Sequence, residues 1–359
     1  MKRVFIIPVF ILLFNACNEA IEKPEAQQDN TAPFEVLTLN TNRIYKHLEG
    51  EIDKIPYALE MYIDDTTISG TMYNLIDEEP FLFYGTLHSD SIRIEKMKNR
   101  KVENIEDEVE MILLGKCNGS VYTNHEQHKN NEPTFLFTET YAHGSIPFTM
   151  YKKIDSIQDP VTKLWFVHSS CESIITDKKS INDAIYLLAG DSTYHGDMKN
   201  FIDNSLQYAL PDDTTELSIM RSLPYEFVSH VGIAYNRVNR LVLYFTNYSY
   251  TGGAHGYSFT NYGTINTQSE KTIRYKDILS LRDSIKLYDL LEKNLRYRWN
   301  IKNNEDLDVV CFDKHPKLVN ENYYITPKGI NFEYNSYEIA GYAFGPIELH
   351  VNLEEIKKP

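Results

Sequence analysis

The segment Tyr250-Thr251-Gly252-Gly253-Ala254-His255-Gly256-Tyr257-Ser258-Phe259 places a histidine in a glycine-rich setting. On a pliable loop such a histidine can act as a general base, since imidazole titrates near neutral pH. The same residues suit a sharp bend between two aromatic strands. Gly252, Gly253 and Gly256 would then sit where the chain needs positive φ or close backbone approach. The flanks are alternating Tyr-rich runs and no partner motif stands elsewhere, so the bend is the preferred reading. Gly329, in the later Pro327-Lys328-Gly329 turn, is read the same way. His255 then caps backbone groups or stands at the rim of a binding face, with Tyr250 and Tyr257 as the neighbouring candidate ligand contacts.

Other chemistry-bearing patterns are incomplete. His125-Glu126-Gln127-His128 is one residue short of the helical spacing that aims two imidazoles at one zinc ion, and it lies beside Asn130, Asn131 and Pro133. No metal site is expected. The nucleophile elbow G-x-S-x-G, the P-loop and the dinucleotide glycine fingerprint are absent, so neither a serine hydrolase nor a bound nucleotide cofactor is indicated. Cys171 follows His168 by three residues, a spacing that does not demonstrate a thiol–imidazole pair. With 51 Asp and Glu, no particular carboxylate pair is favoured for glycoside chemistry. No catalytic residue and no cofactor is assigned, and the chain is read as non-enzymatic. Tyrosine is the unusual component, 26 residues, with a dense group at Tyr244, Tyr248, Tyr250, Tyr257 and Tyr262. Such rings would stack on sugar, contact a protein, or simply pack.

The elements that must position these residues begin after an N-terminal leader. Met1-Lys2-Arg3 precedes an apolar run, Val4–Phe14, that is too short to span a bilayer and fits a secretory signal. It ends at Asn15-Ala16-Cys17, similar to the bacterial lipoprotein signal, with Phe14 and Asn15 departing from the usual residues. Cys17 is therefore expected to be acylated, anchoring the chain to a membrane. Residues 17–32 read as a polar tether. Residues 33–153 are expected to form an all-β antiparallel barrel or sandwich-like domain, because short alternating runs such as 68–75, 80–87 and 91–97 are separated by polar turns. Residues 154–359 are expected to form an α+β domain, an antiparallel sheet with helices packed on it. Helical spacing marks 196–210 and 283–299, the latter with Ile285, Tyr288, Leu291 and Leu295 on one stripe. Long alternating strands mark 225–235 and 240–250, and a hairpin marks 323–334.

The formal charge is −15, and loss of Lys2 and Arg3 with the leader makes it two units more negative. Such a surface disfavours nucleic acid and attracts a cationic protein. Cys117, Cys171 and Cys311 leave open whether any two form a disulfide.

Thr251–Gly256, Lys276-Asp277-Ile278-Leu279, Thr326–Gly329 and Tyr337–Pro346, in that order, resemble the motifs of a bacterial envelope family. It comprises the extracellular domain of RsiV-type lysozyme-sensing anti-sigma factors and the non-catalytic N-terminal region of PdaC-type peptidoglycan deacetylases. The resemblance covers about residues 155–357, with Gly341 where proline is usual. It implies an exported domain on the periplasmic or surface face that binds a protein or glycan ligand, either a basic lysozyme-like enzyme or peptidoglycan. The alternatives are a cell-wall hydrolase or deacetylase using His255, and a scaffold subunit of an envelope complex.

Overall fold

The computed structural model describes residues 35–41, 43–97, 109–124, 132–158, 163–205 and 224–357. Cys17, the leader, the tether and the His125–His128 motif lie outside the described residues. Three sheets share one compact unit that runs from Phe34 to Pro359.

Eight strands close an antiparallel barrel: β2 (Ile44–Ile52), β3 (Ile55–Asp64), β4 (Thr67–Asn74), β5 (Pro80–His88), β6 (Ser91–Met97), β7 (Val109–Asn118), β8 (Val121–Asn124) and β9 (Phe135–Glu139). Alternation along these strands sends Leu48, Leu59, Met61, Phe83, Ile94, Leu113 and Phe137 inward, all essentially inaccessible to solvent. The barrel interior is a packed apolar core. Gly70 is required there: a Cβ on it would lie 1.9 Å from the Glu60 carbonyl oxygen of the adjacent strand.

The second sheet runs in the order β1 (Glu35–Thr41), β10 (Thr149–Gln158), β11 (Trp165–Ile175), β12 (Tyr225–Arg237), β13 (Arg240–Tyr250), β14 (Tyr257–Asn266) and β15 (Lys271–Thr272). All its pairings are antiparallel except β11 with β12, which are parallel and joined by a long connection containing α1 (Lys179–Leu188) and α2 (Met198–Ser205). One face of the sheet, bearing Cys171, Val231, Ile233, Leu243 and Phe245, is covered by Ile181, Ile185, Phe201 and Ile202 of these helices. The expected boundary between residues 153 and 154 falls inside β10. Residues 35–41 belong to the large sheet, because β1 pairs with β10 from Glu35↔Gln158 to Thr41↔Lys152. Alternation alone cannot show which sheet a strand joins.

The third sheet is β16 (Tyr323–Ile325), β17 (Gly329–Tyr334) and β18 (Ile347–Asn352), preceded by α3 (Tyr275–Ile278) and α4 (Leu281–Arg298) and followed by α5 (Leu353–Lys357). The α+β expectation holds for this half. On α4 the buried residues are Leu287, Leu291 and Leu295, with Tyr288 half-buried, whereas Ile285 is 66% exposed. At roughly 100° per residue Ile285 lies about 120° around the helix from Leu291, outside the buried stripe.

A buried polar network ties the barrel to the large sheet. The Glu60 carboxylate accepts hydrogen bonds from Tyr45 Oη (2.6 Å), Tyr73 Oη (2.7 Å) and the backbone N–H of Asn236 (2.9 Å), and it faces His47 Nδ1 at 3.1 Å. Tyr62 Oη accepts from the Ile233 N–H, next to a register shift in β12. Glu78, in the β4–β5 turn, accepts from Tyr235 Oη and from the Lys328 N–H, linking all three sheets. Buried carboxylates demand partners, so these bonds fix how the sheets pack.

Candidate functional site

The β13–β14 turn holds the glycine-rich stretch. Gly252 and Gly253 have φ of 87° and 104°, backbone that side-chain-bearing residues rarely adopt. Gly256 serves differently: a Cβ there would lie 2.4 Å from the Tyr248 ring, so glycine lets that ring lie flat against the chain. Gly329 is likewise required for close approach, because a Cβ on it would lie 2.2 Å from His350 Cε1. Thr326 Oγ1 closes that hairpin by accepting the Gly329 N–H at 3.0 Å.

His255 is exposed. Its Nδ1 lies 2.9 Å from the Gly256 carbonyl oxygen, which requires the proton on Nδ1, and its ring stacks on Tyr342 with centroids 3.8 Å apart and planes 16° apart. Tyr342 Oη donates to the same carbonyl at 3.2 Å. Tyr337, 50% exposed, lies 5.7 Å from Tyr342. The turn and the segment after β17 thus jointly present an accessible aromatic platform of His255, Tyr342 and Tyr337. The contribution of Tyr337 and Tyr342 was not evident from sequence, because they lie some 80 residues beyond the turn and meet it only through the fold.

The clustered tyrosines divide between the two faces of the large sheet. Tyr244, Tyr248, Tyr250 and Tyr262 share one face by register, with Tyr244 opposite Tyr262, while Tyr257 opposite Ser249 points to the other. Tyr244 and Tyr262 pack on the barrel side with Tyr73, Tyr235 and Tyr324. Tyr250 Oη donates to the Gly253 carbonyl at 3.2 Å and braces the turn; Tyr257 is 43% exposed. The tyrosines are therefore packing residues at the barrel end of β13 and accessible ones at the turn end.

His168 and Cys171 lie three residues apart on β11 and so face opposite sides of the sheet. Cys171 is buried under the helices and His168 contacts Ser156 Oγ at 3.0 Å. No disulfide joins Cys117, Cys171 and Cys311. Among the described residues, no three His, Cys, Asp or Glu side chains converge as a metal ion would require.

A second constellation went unseen in the sequence. Lys152, Glu172 and His230 occupy one rung across β10, β11 and β12, since Lys152 pairs with Glu172 and Glu172 with His230. Glu172 Oε2 receives Arg43 Nη1 at 3.3 Å and His230 Nδ1 at 3.3 Å, and His230 Nε2 contacts Tyr244 Oη at 3.1 Å. Burial opposes ionisation of Glu172, but His230 and the Arg43 charge win and hold its carboxyl below the usual range. Arg43, Lys152, Glu172 and His230 line, together with Asp64, an open pocket of about 240 Å³ between the barrel and the sheet.

Comparison with known proteins places this geometry in context. Residues 145–258, from the lead-in to β10 to the start of β14, match the family model described as Deacetylase PdaC. Residues 276–354, from α3 to the start of α5, match the model of a protein family of unknown function, DUF3298. No curated protein matches the chain. A crystal structure of a DUF3298 family member from Bacteroides fragilis is 22% identical, with a TM-score of 0.49, over 60% of this chain and 93% of that one. A DUF3298 family protein from Pseudomonas aeruginosa is 14% identical, with a TM-score of 0.41, over 60% of this chain and 96% of that one. The chain is similar, over these two segments, to the PdaC and DUF3298 families.

Proposed function

We propose that this protein is exported, anchored in the envelope through acylated Cys17, and binds a protein or glycan ligand without transforming it. The observation that carries the reading is the exposed platform of His255, Tyr342 and Tyr337 at the open end of the large sheet. Flat, amphipathic rings with one accessible face suit the apolar face of a sugar or the aliphatic part of a basic side chain. The formal charge of −15 favours a cationic partner such as a lysozyme-like muralytic enzyme, and peptidoglycan itself is the glycan alternative. His255 is oriented by a backbone carbonyl and an aromatic ring, which suits a contact residue better than a general base needing a carboxylate partner. Among the described residues no helix is long and apolar enough to cross a membrane.

Calorimetry with lysozyme and with soluble peptidoglycan fragments tests the reading. Saturable binding to one of them is expected, weakened about tenfold by combined H255A and Y342A substitution, since each lost ring contact is worth about 0.5–1.5 kcal/mol. Absence of binding to both at high micromolar concentration would overturn it, as would unchanged affinity in the variant.

A further inference from the structure

Among the described residues, every sheet edge but one is blunted. The barrel is closed and has no edge. At one end of the large sheet, β15 is only two residues long and begins with Lys271. The rest of that side of β14 is met by side chains: Asn335 Oδ1 accepts the Thr260 N–H at 2.7 Å, and Asn322 Oδ1 the Tyr262 N–H at 2.9 Å. In the third sheet β16 has three residues, and side chains of α4 cap β18. There Asn294 Nδ2 donates to the His350 carbonyl at 2.7 Å and Arg298 Nη1 to the Glu348 carbonyl at 2.6 Å.

The exception is β1. It pairs with β10 over seven successive residues without a bulge, and among the described residues no strand lies beyond it. Its sequence, Glu-Val-Leu-Thr-Leu-Asn-Thr, contains neither proline nor lysine. Leu37 and Leu39 share one face and are 39% and 57% exposed, with half-buried Ile154 of β10 opposite Leu39. A flat, apolar strand edge left open in this way is a template for another strand.

We propose that β1 pairs antiparallel with β1 of a second copy of this chain, joining the two large sheets across a two-fold axis. The strand is symmetric about Thr38. With Thr38 opposite Thr38 of the other copy, Leu37 faces the other copy's Leu39, and Leu39 its Leu37. Threonine meets threonine at the axis, and leucine meets leucine on either side of it, both favourable cross-strand pairs. A one-residue slip would turn the leucines to opposite faces, and a two-residue slip would leave one leucine pair in place of two. The backbone hydrogen bonds would serve any strand; the paired leucines single out a second copy. An isologous contact of this kind closes on itself and stops at the dimer. It shares no residue with the His255 platform and needs no acyl chain, so it can fail while the binding reading stands.

Sedimentation equilibrium of the full-length chain tests this. Two strands make a small interface, so reversible dimerisation is expected with a dissociation constant of about 10–100 μM. L39K should weaken it at least about tenfold, because each dimer then sets two lysines against leucines. At so exposed a position the change should leave the thermal midpoint of the dilute monomer where it was. Association through the segment before β1 is common to both chains and cancels. On oxidation T38C should yield a disulfide-linked dimer, since directly opposed residues have Cα atoms about 4.5–5.5 Å apart. L37C mixed with L39C should also link, whereas L37C alone should not; the parent chain, oxidised in parallel, sets the background from its own cysteines. A chain that stays monomeric up to about 1 mM overturns the proposal. So does a dimer that L39K leaves intact, that T38C fails to link, or that L37C links alone. A monomer that L39K releases from phosphatidylcholine vesicles overturns it too, and gives this face to lipid.

Discussion

Raising the pH should loosen the junction between barrel and large sheet, and His47 is the reason. This side chain is fully inaccessible and lies directly across from Glu60 in the β2–β3 ladder. Its Nδ1 faces the Glu60 carboxylate at 3.1 Å and its Nε2 faces Glu49 at 3.3 Å. A neutral imidazole has one N–H, so one nitrogen would then oppose a carboxylate lone pair; only the imidazolium satisfies both. Burial works against that charge, but Glu60 and Glu49 override it and hold the pKa at about 9 against an ordinary 6.5. A folded-state pKa raised above its unfolded value means stability that is fully present below pH 6.5 and lost as pH climbs through 9. The size is about 3 kcal/mol, from 1.36 kcal/mol for each pH interval between the two values. Urea unfolding of wild type and H47Q between pH 6 and 10 measures it, the variant cancelling contributions from every other group. Wild type should lose about 3 kcal/mol more than the variant over this range. Parallel curves, or an NMR titration of His47 centred near 6.5, would refute the reasoning.

Other consequences can be measured on the same material. Replacing Glu60 by Gln puts an amide among donors that now converge on a carboxylate, and should cost about 3–5 kcal/mol in unfolding free energy. On α4, L291A should cost about 2–5 kcal/mol whereas I285A should stay within about 0.5 kcal/mol, a contrast that separates the observed stripe from the expected one. In the glycine-rich turn, G253A meets no atom but must hold φ at 104°, so a loss of about 1 kcal/mol is expected with the platform intact. G256A instead displaces Tyr248 and should weaken ligand binding at His255 as well as stability, read by calorimetry beside thermal denaturation. Thiol labelling should reach Cys117 in the folded protein and reach Cys311 only on unfolding, since burial hides that thiol and pushes its pKa up to about 11.

What was legible in the sequence was local. Period-two alternation marked β4, β5, β6 and β13, because a strand with one buried face must alternate. The Pro327-Lys328-Gly329 turn instead marked the 323–334 hairpin, whose strands are buried on both faces. Gly252 and Gly253 announced backbone that few other residues adopt. Local patterns did not carry register or pairing partners. Residues 35–41 alternate no differently from barrel strands, yet hydrogen-bond to β10 in the other sheet. Ile285 and Leu287 are equally apolar, and the surface that α4 meets decided which is buried.

The candidate sites divide in the same way. His255 stood out because its glycines are adjacent to it in the chain. The ring beneath it, Tyr342, comes from a segment brought near only by the third sheet. Lys152, Glu172 and His230 are separated by 20 and 58 residues, and become neighbours because β10, β11 and β12 pair in a register set by long-range hydrogen bonds. The sequence by itself determined which segments alternate, where the chain turns and how acidic the surface is, since these depend on residue type and spacing. Only the tertiary structure decided which side chains meet, because buried charges such as Glu60 and Glu172 draw their partners from strands far apart in the chain.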